Sequence, residues 1–385
     1  MKTTKVLALL GGAVLAASAC SPAASTSPST AASASAPASQ AASGSGATGE
    51  ADAVRLQLQW TPQAQFAGYF AADEQGYYEE ENLAVEILDG GPTDVPQQVG
   101  SAPDGPEFTI AWVPKVLEAR EQDSDLVNIA QIFERSGTLS VAWADSGIED
   151  PCDFEGKRVG VWDFGNEFEV TAAATINCDL TAGEDYEKVI QPFDMTLLLS
   201  RQIDVAEAMI YNEYAQVLEA TNPETGELYQ PTDLNVINWN DEGTAMLQDA
   251  IHARKSWLAE GNNRNVAVRF VRASIKGWIY CRDNPDDCIE YTTNAGSQLG
   301  AGHQRWMMNE INPLIWPSTG GIGLLDEELW NQTVEVAKES GIIPDDPDEG
   351  AYVTDIAEEA LEGIEEDANG EGFEKGTVEV TPGGN

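Results

Sequence analysis

The segment Leu56–Phe70, Leu-Gln-Leu-Gln-Trp-Thr-Pro-Gln-Ala-Gln-Phe-Ala-Gly-Tyr-Phe, constrains this chain more than any other. Apolar and polar residues alternate up to Trp60 as in a strand, Pro62 interrupts the run, and a helical pattern starts at Phe66. A strand that passes through a short polar loop into a helix opens an α/β unit, and ligands of open α/β sheets bind beyond the carboxyl ends of the strands. Gln59 to Gln65 should therefore face a crevice. There Trp60, Gln63 and Gln65, with Tyr69 on the helix, offer a flat apolar wall and fixed hydrogen-bonding groups suited to a planar aromatic ligand.

The same alternation continues downstream. Val54–Gln59, Leu83–Leu88, Phe108–Trp112 and Leu126–Phe133 read as strands, with helices near Phe66–Glu80 and Pro114–Glu121, which predicts βαβ units and a mainly parallel sheet. A second set follows, with strands at Arg158–Trp162, near Val189 and at Val205–Ile210, and a helix at Asn166–Ile176. Thr138–Ala144 and Asn235–Asn240 are the expected crossovers between two lobes, and helices are expected at Ala245–Leu258 and Val266–Tyr280. Residues 344–385 read as an acidic tail with one helix around Tyr352–Glu366 and a disordered Gly-rich end.

Three further strand ends are candidate site segments. Trp112 lies where a strand meets a helix. Gly165-Asn166-Glu167 has the chemistry of a helix cap with exposed backbone N–H groups, but Asp163, Glu167 and Glu169 crowd the turn and disfavour an anion. Tyr211-Asn212-Glu213 follows the apolar strand ending at Ile210, and a carboxylate beside aromatic rings can accept from an amino group and a protonated ring nitrogen together. The alternative role for Asn212 and Glu213 is to cap a helix and complement its dipole. Trp143, Trp239, Trp278, Trp306 and Trp316 are weaker candidates, because most large aromatics are core.

Lys2 and Lys5 precede an apolar run from Val6 to Ala17, the pattern of a secretory signal. Ala-Ser-Ala before Cys20 looks like a bacterial lipobox, although Ala17 stands where leucine is usual; residues 1–20 would be the signal and Cys20 the lipidated residue. Residues 21–52, rich in Ala and Ser, would be a flexible tether. In an exported chain the four cysteines Cys152, Cys178, Cys281 and Cys288 suggest disulfides. Cys281 and Cys288 bracket a turn-forming loop, and Cys152 would then pair with Cys178, while the connectivity itself stays open. The absence of Cys-x-x-Cys spacing and the presence of only His252 and His303 argue against a metal site and against a catalytic histidine. A formal net charge of −45 excludes a nucleic-acid role, since phosphate binding needs a basic surface, and suits a solvated surface, one consistent with high salt.

The opening segment, together with Gly76–Ile87, Gln131–Leu139, Trp162–Glu169 and Met209–Tyr214, resembles the NMT1/THI5-like solute-binding proteins of ABC importers. The resemblance implies a type II periplasmic-binding-protein fold: two α/β lobes joined by two crossover segments, lobe 1 discontinuous over 53–144 and 241–343, and lobe 2 spanning 145–240. It also implies an extracytoplasmic lipoprotein, anchored to the outer face of the cell membrane only through lipid. Its partners would be a small-molecule ligand and the permease and ATPase subunits, and it is expected to be a monomer without a cofactor. The implied ligand is a thiamine-precursor pyrimidine, hydroxymethylpyrimidine or formylaminopyrimidine, with riboflavin, sulfonate or nitrate as alternatives. Tyr211, Asn212 and Glu213 match a Tyr-Asn-Glu type segment of pyrimidine-binding members. Enzymatic members of the family, which make the pyrimidine, carry a cysteine-rich motif that this chain lacks, so an enzyme is the lesser expectation.

Overall fold

The computed structural model describes residues 49–385, which form one compact unit. The signal, Cys20 and nearly all of the tether lie outside the described residues. Strands β1 (Asp52–Gln57), β2 (Leu83–Leu88), β3 (Phe108–Ala111) and β4 (Leu126–Gln131) come first, then β5 (Thr138–Trp143), β6 (Arg158–Val161), β7 (Glu187–Ile190), β8 (Val205–Met209) and β9 (Leu234–Asn238), and finally β10 (Ala250–Arg254). They build two five-stranded sheets, β2-β1-β3-β10-β4 and β7-β6-β8-β5-β9. In each sheet the first three strands run parallel, and one strand, β10 in the first and β5 in the second, runs antiparallel to both neighbours. The sheets are mixed rather than mainly parallel, because each lobe is completed by a strand that arrives from the other.

Burial explains which strands sit where. The inner strands β3, β8, β5 and β10 are buried along their whole length, as is β4, whereas β2 and β7 at sheet edges alternate or face water. The first helix, Ala67–Glu74, packs on the long helix Asn263–Asp283 at a crossing where only glycine fits. A Cβ on Gly277 would lie 1.9 Å from the Gly68 carbonyl oxygen, and one on Gly68 would lie 2.3 Å from the Trp278 ring. The disulfides pair Cys152 with Cys178 and Cys281 with Cys288.

Three expectations are corrected. Thr138–Ala144 and Asn235–Asn240 are not crossovers: β5 and β9 pair with each other inside the second sheet, and the chain passes between lobes at about 132–137 and 239–249. The helix expected over Ala245–Leu258 is strand β10 over Ala250–Arg254, and only the single helical turn Lys255–Leu258 at its end is helical. The tail is ordered: Val353 donates to the Asn128 carbonyl, helix Asp355–Leu361 buries Ile356, Ala357 and Ala360 on Asn263–Asp283, and Gly383 donates to the Glu219 carbonyl of the second lobe. Among the described residues no helix is long and apolar enough to cross a membrane.

Buried alanine and isoleucine in the tail imply that it contributes to stability. A chain ending at Ile343 should lose on the order of several kcal/mol, read as a fall of more than about 5 °C in melting temperature by calorimetry; an unchanged melting temperature would show that the tail only lies on the surface.

Candidate ligand-binding cleft

The carboxyl ends of β1, β3, β6 and β8 meet between the lobes. The first lobe supplies Gln59, Trp60, Gln63 and Gln65 after β1, the Gly91–Pro96 loop after β2, and Trp112 and Lys115 after β3. The second supplies Trp162, Phe164 and Asn166 after β6, Phe193 after β7, Met209 at the end of β8, and Tyr211, Asn212 and Glu213 after it. Gly90 holds the β2 loop against the β1 loop: its N–H donates to the Trp60 carbonyl at 3.0 Å, and a Cβ there would sit 2.6 Å from the Leu58 oxygen.

Aromatic rings wall this cleft from both sides. Trp60 of the first lobe meets Phe193 of the second with ring centroids 4.3 Å apart, and Phe193 stacks on Trp162 at 5.9 Å. A polar chain runs beneath them. Gln63 donates to Gln65 (2.6 Å), Gln65 to Asp249 (2.9 Å), and the Trp112 indole N–H to the other Asp249 oxygen (2.8 Å). Gln59 accepts from the Trp112 backbone N–H at 3.0 Å. Burial pushes the Asp249 carboxyl up to about 7, against the pull of Gln65, Trp112 and Lys115.

On the opposite wall Glu213 starts the helix Glu213–Leu218, its carboxylate accepting from the Met209 backbone N–H (3.0 Å) and the Asn212 amide (2.8 Å). Burial pushes it also to about 7, opposed by the Met209 hydrogen bond. Asn212 in turn accepts from His303 Nε2 (2.9 Å), whose Nδ1 faces the Glu219 carboxylate at 2.8 Å. His303 is therefore one residue removed from the cleft, nearer than the sequence suggests, whereas His252 lies inside β10.

Eight of the eleven expected ligand residues line the cleft: Trp60, Gln63, Gln65, Trp112, Asn166, Tyr211, Asn212 and Glu213. Three do not. Tyr69 is core, packed edge-on against Trp278. Gly165 donates its N–H to Glu167 (3.0 Å), so the turn is filled by its own carboxylate rather than open to an anion, and the other Glu167 oxygen faces Lys188 at 3.4 Å. None of Trp143, Trp239, Trp278, Trp306 and Trp316 lines the cleft. The residues not singled out are Lys115, Trp162, Phe164, Phe193, Met209 and the Gly91–Pro96 loop; Trp162 and Phe164 stand at the end of β6, where strand-end reasoning would have found them.

Two lobes closing on a polar-edged aromatic cleft define a solute-binding protein of the periplasmic type II class. Residues 63–288 match the family model described as NMT1/THI5 like, and the chain belongs to this family. It is 26% identical to the riboflavin-binding protein RibY of Chloroflexus aurantiacus over 75% of this chain and 81% of that one. It is 24% identical to a formylaminopyrimidine-binding protein of Halalkalibacterium halodurans over 62% and 69% respectively. A shorter stretch, 34% of this chain and 41% of the relative, is 27% identical to a 4-amino-5-hydroxymethyl-2-methylpyrimidine phosphate synthase of Legionella pneumophila. In fold it is similar to the periplasmic aliphatic sulphonate binding protein SsuA of Escherichia coli, with TM-score 0.58, 12% identity, and coverage of 77% and 89%.

The buried carboxyls make stability depend on pH. Glu169 and Glu213 rise from 4.5, and Asp249 from 3.8, to about 7, so the native state keeps protons that the unfolded chain has released. Native protein thus binds more protons across that window, and stability falls as pH rises through it. Calorimetry in high salt, which screens surface repulsion, should give a melting temperature several degrees higher at pH 5 than at pH 8; a flat profile would mean that these groups titrate normally.

Proposed function

We propose that this chain is the extracytoplasmic, lipid-anchored binding protein of an ABC importer, and that it captures a small heteroaromatic nutrient, first among them a thiamine-precursor pyrimidine. The observation that carries this reading is the pairing of Glu213 with an aromatic-walled cleft. Each Glu213 oxygen already accepts one hydrogen bond, and a carboxylate has room for about four. An aminopyrimidine can fill the remainder with its amino group and ring edge while its faces lie against the rings. The carboxyl-bearing side chains of Asp94 and Glu213 in the cleft lining weigh against sulfonate and nitrate. Binding would favour the closed arrangement that a permease recognises, because ligand contacts come from both lobes. The role is binding, not catalysis.

Riboflavin is the second reading. Trp60, Phe193, Trp162 and the 60%-exposed Phe164 extend the apolar wall toward the mouth of the cleft, further than one six-membered ring needs.

A thermal-shift screen in high salt with hydroxymethylpyrimidine, formylaminopyrimidine, thiamine, riboflavin, taurine and nitrate separates these readings, since a ligand of the native state alone raises the melting temperature. A pyrimidine shift supports the first, a riboflavin shift the second, and a shift with taurine or nitrate only would overturn both. The Glu213→Gln variant should bind the pyrimidine at least about tenfold more weakly with its melting temperature within a few degrees. Glu213→Ala is the poorer test, because it also removes the acceptor for the Met209 N–H.

A further inference from the structure

Lys115 has no counterpart in the site as proposed so far. It lies on the helix Val113–Arg120, lines the cleft and is only 3% exposed. A buried ammonium is normally paired with a carboxylate or surrounded by acceptors. Among the described residues no carboxylate lies within salt-bridge distance of Lys115, and Glu167 faces Lys188 instead. The one hydrogen bond of Lys115 among the described residues goes to the neutral Asn166 oxygen of the second lobe at 2.9 Å, and its charge sits 5.0 Å from the centre of the Trp112 ring. Of its three N–H donors, two have no acceptor among the described residues, on a side chain that lines the cleft. Burial draws its pKa down to about 8, only partly offset by Asp249, Glu167, Glu207 and Glu118, so the ammonium persists at neutral pH in a site that does not fully satisfy it.

A ligand supplying a hydrogen-bond acceptor would meet that demand. Among ring nutrients the acceptor is a neutral carbonyl rather than an anion, since the carboxyl-bearing side chains of Asp94 and Glu213 line the same cleft. We propose that Lys115 sets ligand choice by donating to a carbonyl oxygen on the bound ring system, so that the cleft takes a heteroaromatic bearing a formyl, amide or ring carbonyl over the same ring ending in an amine or alcohol. The proposal rests on the binding reading above and narrows it. Because Asn166 belongs to the other lobe, a carbonyl held by Lys115 would also lie against the contact that joins the lobes. A formylamino side chain and the carbonyls of a flavin ring share this chemistry.

The test is calorimetric titration of the purified full chain and its Lys115→Met variant at pH 7. The ligands are formylaminopyrimidine, its deformylated aminomethyl counterpart and riboflavin. The wild type should bind the formyl compound at least about tenfold tighter than the aminomethyl one, the scale of one charged hydrogen bond, and K115M should erase that preference. If riboflavin alone binds, K115M should weaken it by a similar factor, which supports the same role with a flavin as the source. Unchanged affinity of K115M for whichever carbonyl ligand the wild type binds would overturn the Lys115 role and leave the binding reading intact. No binding of any of the three by the wild type would overturn both. If K115M fails to fold, Lys115→Gln, which keeps a donor toward Asn166, is read by the same comparison.

Discussion

The carboxylate of Glu169 is the constraint on which the two-lobed arrangement depends. It sits on the helix Phe168–Cys178 of the second lobe and is 3% exposed, and it accepts from Ser136 on one interlobe segment (2.8 Å) and from the Met246 N–H on the other (2.5 Å). Gln248 ties the same segments directly, accepting from Gly137 N–H at 2.8 Å and donating to Thr138 at 2.6 Å. Removing one partner from such a network leaves buried donors unsatisfied, a cost of roughly 1–3 kcal/mol each. The strands beyond, β5 and β10, exchange lobes through this knot, so the relative position of the sheets is set where the chain is most tightly hydrogen-bonded.

How the sequence revealed this fold, and where it did not, follows from what one strand or helix can show of itself. β1 announces itself because apolar Val54, Leu56 and Leu58 alternate in sequence with polar Arg55, Gln57 and Gln59 and a proline loop follows. β10, Ala250–Arg254, is buried on all five residues, and a short buried strand has no period to distinguish it from part of a helix. β5 and β9 look like extended connections because nothing local tells that their partners are β8 and each other. The tail misleads for a different reason: Gly370 and Gly384 read as flexible, yet one sits against Trp316 and the other against His303 and Glu219, where side chains would not fit.

The site divides in the same way. Residues at strand ends, Trp60, Trp112 and Glu213, are legible because the architecture says where ligands go. Lys115 is one helical turn past such an end, and its burial depends on Trp112 beneath it and Asn166 from the other lobe, neither of which a local reading supplies. Tyr69 fails conversely: an aromatic near the loop is turned inward by Trp278, which arrives some two hundred residues later along the chain.

The large acidic charge has little say in the cleft. Its carboxyls that matter, Asp249 and Glu213, are buried and pushed toward the neutral form, while most of the acids that make up the −45 face solvent. Across the cleft the lobes also meet through unlike contacts: ring on ring at Trp60–Phe193, ammonium to amide at Lys115–Asn166, and imidazole to amide at His303–Asn212. Each is worth about a kilocalorie or two at most. Asn212 belongs to two of the relevant networks at once, bonded to Glu213 in the cleft wall and to His303 on the helix Ala301–Ile315. That helix also holds the β1 loop through Gln304 and Ala64 and accepts the end of the tail against His303. A ligand seated on Glu213, as proposed, would therefore act beside a residue already committed across the lobe boundary.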